Sequence, residues 1–510
     1  MRKATTLPAT LLLLLRRRPT LLLFLLFCTF LLSLLLLLPS SPSPNSHHLI
    51  LSSLSAASAA ITKSASIIPS SSDAAPNCLA HLSLSSRRLA AASAAATSLR
   101  LLDARHFAGA ALQYQYDCSS ALSHLKSTPP IAAALSSLAS LSSLSSVSLA
   151  LISAFLRFGP DHPALQSPPQ TERDGFWEKL TTARPSADSD LVAAFPPHLS
   201  PNLTVCKIGS CDFRAIQDAV FAAPNYGLSH FVIYIKAGVY QENVVIPFEK
   251  TGIVFLGAGA GATVITAARH AQMPGLTTFD TPTVAVLGDG FRAKGITFEN
   301  AAGAGAHQAV AFRSDSDRSF LESVEFRGHQ DTLYARSMRQ LYRDCRISGT
   351  VDFVFGNAAA VFERCILEVV PRLENPEKGE RNAITAHGRI DPGQATGFVF
   401  RNCSVTGSAE YLALYQKKPA VHRVYLGRPW KMYARTVLVG CYLGEVVRPE
   451  GWLPWRGEFA LRTLFYGEYG SRGPGANATA RVEWSSQIPE EHLAMYSVEN
   501  FIQGDEWTAF

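Results

Sequence analysis

The sequence predicts two structural regions: an all-β parallel β-helix over residues 203–510, preceded by a small all-α helical bundle over residues 50–160. Three observations carry this. From about residue 205 the chain consists of short β-rich runs broken by Gly, Asn and Asp. Six of these runs share one pattern, spaced 20–28 residues apart and 38 where loops insert, and such recurrence marks a solenoid. Upstream, residues 50–165 are rich in Ala, Leu and Ser, poor in β-branched residues, and helically spaced in 86–102 and 131–157.

The amino end comes first. Residues 20–38 are 19 nearly unbroken apolar residues after Arg16, Arg17 and Arg18, followed by the small and Pro-rich PSSPSPNS. A signal-peptide core is usually about 7–15 residues, whereas spanning a bilayer takes about 17–25. The length favours an anchor and the small residues permit cleavage, so residues 1–48 are expected to be a signal peptide or a single-pass signal anchor. Either way the chain beyond them enters the secretory lumen. The helical bundle follows, and then a Pro- and Ser-rich linker over 161–202.

Composition removes several function classes. Of the 510 residues, 47% are hydrophobic and 10% aromatic, which excludes a fully disordered chain. The net charge of +6 invites an acidic partner, but residues 201–510 carry 31 Lys+Arg and 31 Asp+Glu. The whole excess therefore sits in the first 200 residues, beside a targeting segment. This excludes nucleic acid as the expected partner.

The solenoid rests on FRAKGITF (291–298), FLESVEF (320–326), LYRDCRI (341–347), VFERCIL (361–367), FVFRNCSV (398–405) and VLVGCYL (437–443). Aligned, they place Gly295, Ser323, Cys345, Cys365, Cys403 and Cys441 at one position. Equivalent residues of adjacent coils stack about 4.8 Å apart, so Cys345 and Cys365 are expected within bridging reach, and Cys403 and Cys441 could form a second pair. The alternative is an internal stack of reduced thiols, since free Cys packs well. Cys206 and Cys211 are close enough to pair across a turn. Asn202, Asn402 and Asn477 are glycosylation acceptors suited to a secreted chain.

The same period places polar residues. Gln308 and Gln330 are 22 apart, and Asp331 and Asp352 are 21 apart, so each pair is expected on one face of neighbouring coils. Two carboxylates so placed split their pKa values, leaving one protonated and one ionised. That division suits a general acid beside a nucleophile. Asp352 lies in the apolar GTVDFVFGNA (349–358) and needs a partner, which Arg428 in YLGRPW (425–430) can supply. The two Gln amides can hold an oxyanion. Capping of turns is the other use of such an Asp pair.

The segments GVYQENV (238–244), HQAVAFR (307–313), GHQDTLY (328–334), GTVDFVFGNA and YLGRPW, in this order and spacing, resemble the signature blocks of plant pectinesterases. The resemblance spans about 203–508 and implies a right-handed parallel β-helix that hydrolyses methyl esters of galacturonate in cell-wall pectin. It implies Asp352 as nucleophile and Asp331 as general acid, then base. Gln308 and Gln330 would stabilise the oxyanion, and Arg428 would orient Asp352. Thr278 and Trp430 would join Gln308 and Arg428 in contacting substrate. It also implies a Cys345–Cys365 disulfide, no metal or organic cofactor, and a secreted, monomeric wall enzyme. The partners implied are methyl-esterified homogalacturonan and a proteinaceous pectinesterase inhibitor; the apolar segment offers membrane anchoring as an alternative end state.

The amino half resembles the inhibitor-like pro-region of the family's larger members, a four-helix bundle, with Cys78 and Cys118 as its anchors. The inhibitor-like pattern usually has four cysteines, and residues 158–205 lack the basic R-x-L-L processing site those members often carry. His329 stands where most members have an aromatic residue. It is either a tolerated surface change or a group that tightens pectin binding when charged at acidic pH.

Two other classes stay open on the residues. One is another β-helical pectin enzyme, a polygalacturonase or pectate lyase; the acidic calcium ligands a lyase needs have no cluster near Asp331 and Asp352. The other is a silent wall-binding or inhibitor protein, against which the Gln, Gln, Asp, Asp and Arg set argues.

Overall fold

The computed structural model describes residues 46–69, 74–160, 169–178, 195–196, 198–372 and 380–509. The apolar segment 20–38 with its arginine flank, and most of the 161–202 linker, lie outside the described residues.

Among the described residues, four helices form the amino-terminal region: α1 (Ser46–Ile67), α2 (Ala75–Thr97), α3 (Leu101–Ser123) and α4 (Pro129–Phe158). Apolar residues at three- and four-residue steps build their core. Ile50, Leu54, Ala57 and Ile61 of α1 pack with Ile131, Leu138, Leu141 and Leu149 of α4. Pro129 and Pro130 occupy the first turn of α4, where a missing N–H is harmless. The Cys78–Cys118 disulfide ties α2 to α3.

From Leu203 onward, strands of successive coils pair in parallel in sheets of 11, 7 and 8 strands. This is the β-helix that the repeats predict. The seven-stranded sheet carries the site. Its strands lie side by side in chain order: β1 (Val244–Ile246), β2 (Val284–Val286), β3 (Phe312–Ser314), β4 (Leu333–Ala335), β5 (Val351–Gly356), β6 (Glu380–His387) and β7 (His422–Gly427).

Inside the solenoid, like stacks on like. Tyr342, Phe362 and Phe400 form a ladder with ring centroids 4.8 and 4.6 Å apart. Phe362 is fully buried between its neighbours. The rings above and below are held by strand pairing and cannot collapse into a void. Phe362→Ala should therefore cost about 3–5 kcal/mol, read as a lower urea midpoint at unchanged slope. A loss under about 1 kcal/mol, the size of an ordinary point mutation, would contradict the ladder's role.

The repeat differs from its sequence alignment by one residue. The positions after the paired Lys294, Glu322, Arg343, Glu363, Arg401 and Val439 are Gly295, Ser323, Asp344, Arg364, Asn402 and Gly440. All six have φ between 52° and 65°, a left-handed corner repeated on each coil. The cysteines stand one place later, level with Ile296 and Val324 and facing the core. Small residues suit both the corner and the interior, so the pattern merged two adjacent positions.

The expected Cys345–Cys365 disulfide is not formed, nor is a Cys403–Cys441 pair: all four are free and buried. Each thiol points at a carbonyl of the preceding coil. Cys345 Sγ lies 3.5 Å from Leu321 O, Cys365 3.4 Å from Tyr342 O, Cys403 3.3 Å from Phe362 O and Cys441 3.4 Å from Phe400 O. The thiols stack in contact along the coils, Cys345 with Cys365, Cys365 with Cys403 and Cys403 with Cys441, and small thiols fill the interior well without bonding to each other. Cys206 and Cys211 do pair.

Candidate active site

Asp331 lies just before β4 and Asp352 within β5. The Asp331 N–H donates to Val351 O at 3.1 Å, which sets the two aspartates on neighbouring coils. Both adopt the left-handed conformation, with φ of 66° and 52°. Asp tolerates this better than most residues, and such strain concentrates at functional sites. Pairing of β5 with β6 is irregular between Val351 and Val354, and a bulge of this kind re-aims side chains, here that of Asp352. The bend needs Gly349: a Cβ there would lie 2.2 Å from Phe353 Cβ and 2.6 Å from His329 O.

Asp331 and Asp352 are only 7% and 5% exposed. Arg428, at the end of β7, grips Asp352 in a fork, with Nε to Oδ1 at 2.8 Å and Nη2 to Oδ2 at 2.7 Å. Burial pushes the Asp331 carboxyl well above its usual range, and the Asp352 charge pushes it further. Burial also raises Asp352, against the opposing pull of Arg428. Because Arg428 bonds Asp352 directly, Asp331 is the one of the pair held further toward its neutral form.

Gln308 and Gln330 are half-buried on adjacent coils, related by the Ala309 N–H that donates to Gln330 O. Thr278 opens the short turn Thr278–Asp280 before β2. Trp430 meets Phe355 edge-on at 5.9 Å and lies over Gly388, where a Cβ would come within 2.8 Å of its ring. His329 is half-buried with an unpartnered Nδ1. Burial lowers its pKa from 6.5, so any charge on it appears only in more acidic solution.

Three aromatic side chains complete the cleft without having been singled out in the sequence. Tyr334 and Phe355 stack at 4.2 Å, and Trp455 lies under the Arg428 guanidinium at 4.3 Å. Tyr334 and Phe355 each follow a site aspartate by three residues inside the segments already recognised. Trp455 lies outside those segments, but Trp452 bridges Gly427 of the preceding coil, so Trp455 stands level with Trp430, and their 25-residue separation is the signal that could have found it.

The helical bundle reaches both rims of this cleft. Asn77 Nδ2 donates to Asp280 Oδ2 at 2.8 Å, beside Thr278, and Lys431 Nζ donates to Tyr116 OH at 2.9 Å, beside Trp430. His81 meets Phe279 edge-on at 4.5 Å. The Arg428 side chain remains 27% exposed, so the bundle flanks the centre without sealing it.

A Pectinesterase family model matches residues 202–505. The chain is 49% identical over 440 residues to probable pectinesterase/pectinesterase inhibitor 64 of Arabidopsis thaliana, covering 85% of this chain and 72% of the relative. That span is long enough to take in the helical region. It is 46% identical over 312 residues to pectinesterase/pectinesterase inhibitor PPE8B of Prunus persica, covering 61% of this chain and 58% of the relative. Among solved structures, the pectin methylesterase from carrot is similar with a TM-score of 0.58 and 42% identity, over 61% of this chain and 96% of its own.

Proposed function

The chain belongs to the pectinesterase family, and we propose that it hydrolyses methyl esters of galacturonate in cell-wall pectin with Asp352 as nucleophile and Asp331 as acid and base. The observation that supports these roles is the split pair: one buried aspartate bonded to Arg428, the other buried and driven toward its neutral form. An Asp352 oxygen attacks the ester carbonyl carbon, and the carbonyl electrons move onto oxygen, where the Gln308 and Gln330 amides donate to it. Collapse expels methoxide, which takes the Asp331 proton and leaves as methanol. The ionised Asp331 then removes a proton from water, and the hydroxide attacks the acyl carbon. Asp352 departs as a carboxylate, Asp331 regains its proton, and the product acid ionises into solvent. Arg428 holds Asp352 in position, and Trp430, packed against the buried Tyr334–Phe355 pair, offers a flat face to a sugar ring.

The distinguishing measurement is methanol release from methyl-esterified pectin without chain shortening. Shortening of the polymer would instead favour a glycosidic-bond enzyme, and absence of both would favour a silent wall protein. The helical region acts in this reading as an internal inhibitor-type module, supported by its bridging of the Thr278 and Trp430 rims.

A further inference from the structure

The contact between bundle and cleft is uneven in charge. Arg313 on β3 and Arg336, just beyond β4, are 4% and 1% exposed, and their guanidiniums lie 3.6 and 4.5 Å from the Phe279 ring. Both donate to the single carboxylate of Asp315, Arg313 Nε at 3.1 Å and Arg336 Nη1 at 2.6 Å. Arg313 also donates to Phe279 O. Asp280, which acts on Arg313 electrostatically, is committed by hydrogen bonds to Thr277 and Asn77. Two buried cations thus share one hydrogen-bonded carboxylate of the solenoid. The second carboxylate comes from the bundle: Asp117 of α3 accepts from Arg336 Nη2 at 2.6 Å, and His81 Nδ1 of α2 accepts from the same nitrogen at 3.2 Å. A buried cation lacking its partner is costly, so the solenoid by itself leaves a place for one more carboxylate here.

We propose that Arg336, flanked by Arg313 and Phe279, binds an unesterified galacturonate carboxylate of the pectin chain, and that Asp117 occupies this site in the intact protein. The proposal rests on the esterase reading above. Its position fits a substrate already lying in the cleft. Asp331 precedes β4, Tyr334 lies within it and Arg336 follows it, which puts the site at most about 16 Å from Asp331 at about 3.3 Å per residue. The Phe279 ring beneath it adjoins Thr278. A guanidinium fork matches a carboxylate in charge and geometry, whereas a methyl ester brings a carbonyl acceptor and no charge. The site therefore favours chains that already hold a free acid some units away from the ester under attack. Products of earlier turnovers are such chains, so demethylation would extend existing acid runs.

The test uses the full chain with a protease recognition sequence placed within 181–190, folded intact, then cut and freed of the bundle in high salt. Arg336→Gln should raise KM about tenfold on pectin of low ester content, with kcat unchanged. On nearly fully esterified pectin its KM should stay within about twofold of the parent. Arg336→Lys, which keeps the charge without the fork, should fall between. Fully de-esterified trigalacturonate should inhibit the cut parent competitively and less strongly in salt. Equal KM changes on both pectins, or no inhibition by trigalacturonate, would overturn the proposal. Turnover of nearly fully esterified pectin is the separate control, since it tests the esterase reading and does not depend on Arg336.

Discussion

Replacing Asp352 with Ala should lower methanol release on the order of 10⁴-fold or more in kcat, the scale seen when a covalent nucleophile is removed. Pectin binding, which rests on the rims and aromatic faces, should persist. Asp352→Asn makes the comparison cleaner, because it keeps the volume beside Arg428 and removes the charge and nucleophilicity. Activity that survives both changes would refute Asp352 as nucleophile. The pH profile of the parent supplies a second check. Asp352 must be ionised to attack, and burial raises its pKa despite Arg428. The acid limb of kcat/KM should therefore lie above the ordinary Asp value of about 3.9, with activity lost as pH falls through it. Arg428→Ala removes the attraction that holds the limb down, so the limb should move to higher pH. A limb that stays fixed would mean that Arg428 does not set the ionisation of Asp352.

The central chemistry was legible because the fold is periodic. A 21-residue separation is one coil, and one coil brings Asp331 beside Asp352. Arg428 was found from need, since an aspartate in an apolar strand requires a cation. What the period could not resolve was a shift of one residue. Gly295 and Ser323 belong to the left-handed corner, while Cys345 and Cys365 face inward, and small side chains suit either place. Spacing also shows that two thiols are neighbours without showing which way they point, and the observed ladder of thiol-to-carbonyl contacts is a matter of rotamer. Docking of the bundle was hidden for another reason. Arg88 reaches Asp289 across 201 positions, and Arg336 reaches Asp117 across 219. Such pairs have no period, and each partner alone reads as an ordinary surface charge.

Lowering the pH from 7.5 to 5 should weaken attachment of the bundle to the solenoid by at least the roughly 30-fold that His106 supplies. Two buried histidines carry the effect. His81 of α2 accepts a hydrogen bond from Arg336 Nη2, the nitrogen that also donates to Asp117, and faces Arg313 and the Phe279 ring. His106 of α3 lies among Arg339 and Asp317 of the solenoid and Arg105 and Asp103 of its own helix. Burial first, and the neighbouring arginines second, hold His81 well below 6.5 and push His106 down to about 3. Once released, both rings return to about 6.5. Above that value both states are neutral and docking is unaffected. Below it the free bundle takes up protons that the docked one cannot, so docking is lost progressively as pH falls. At pH 5 His106 contributes roughly a 30-fold loss, and His81 adds to it in the same direction. Amide exchange in α2 and α3, corrected for intrinsic rates, should show protection at pH 7.5 that declines by pH 5. The double variant His81→Gln, His106→Gln should remove the decline; a decline of equal size in that variant would assign it to other groups. Each ester cleaved leaves an acid that releases a proton, so turnover itself pushes the surroundings in the direction that weakens docking.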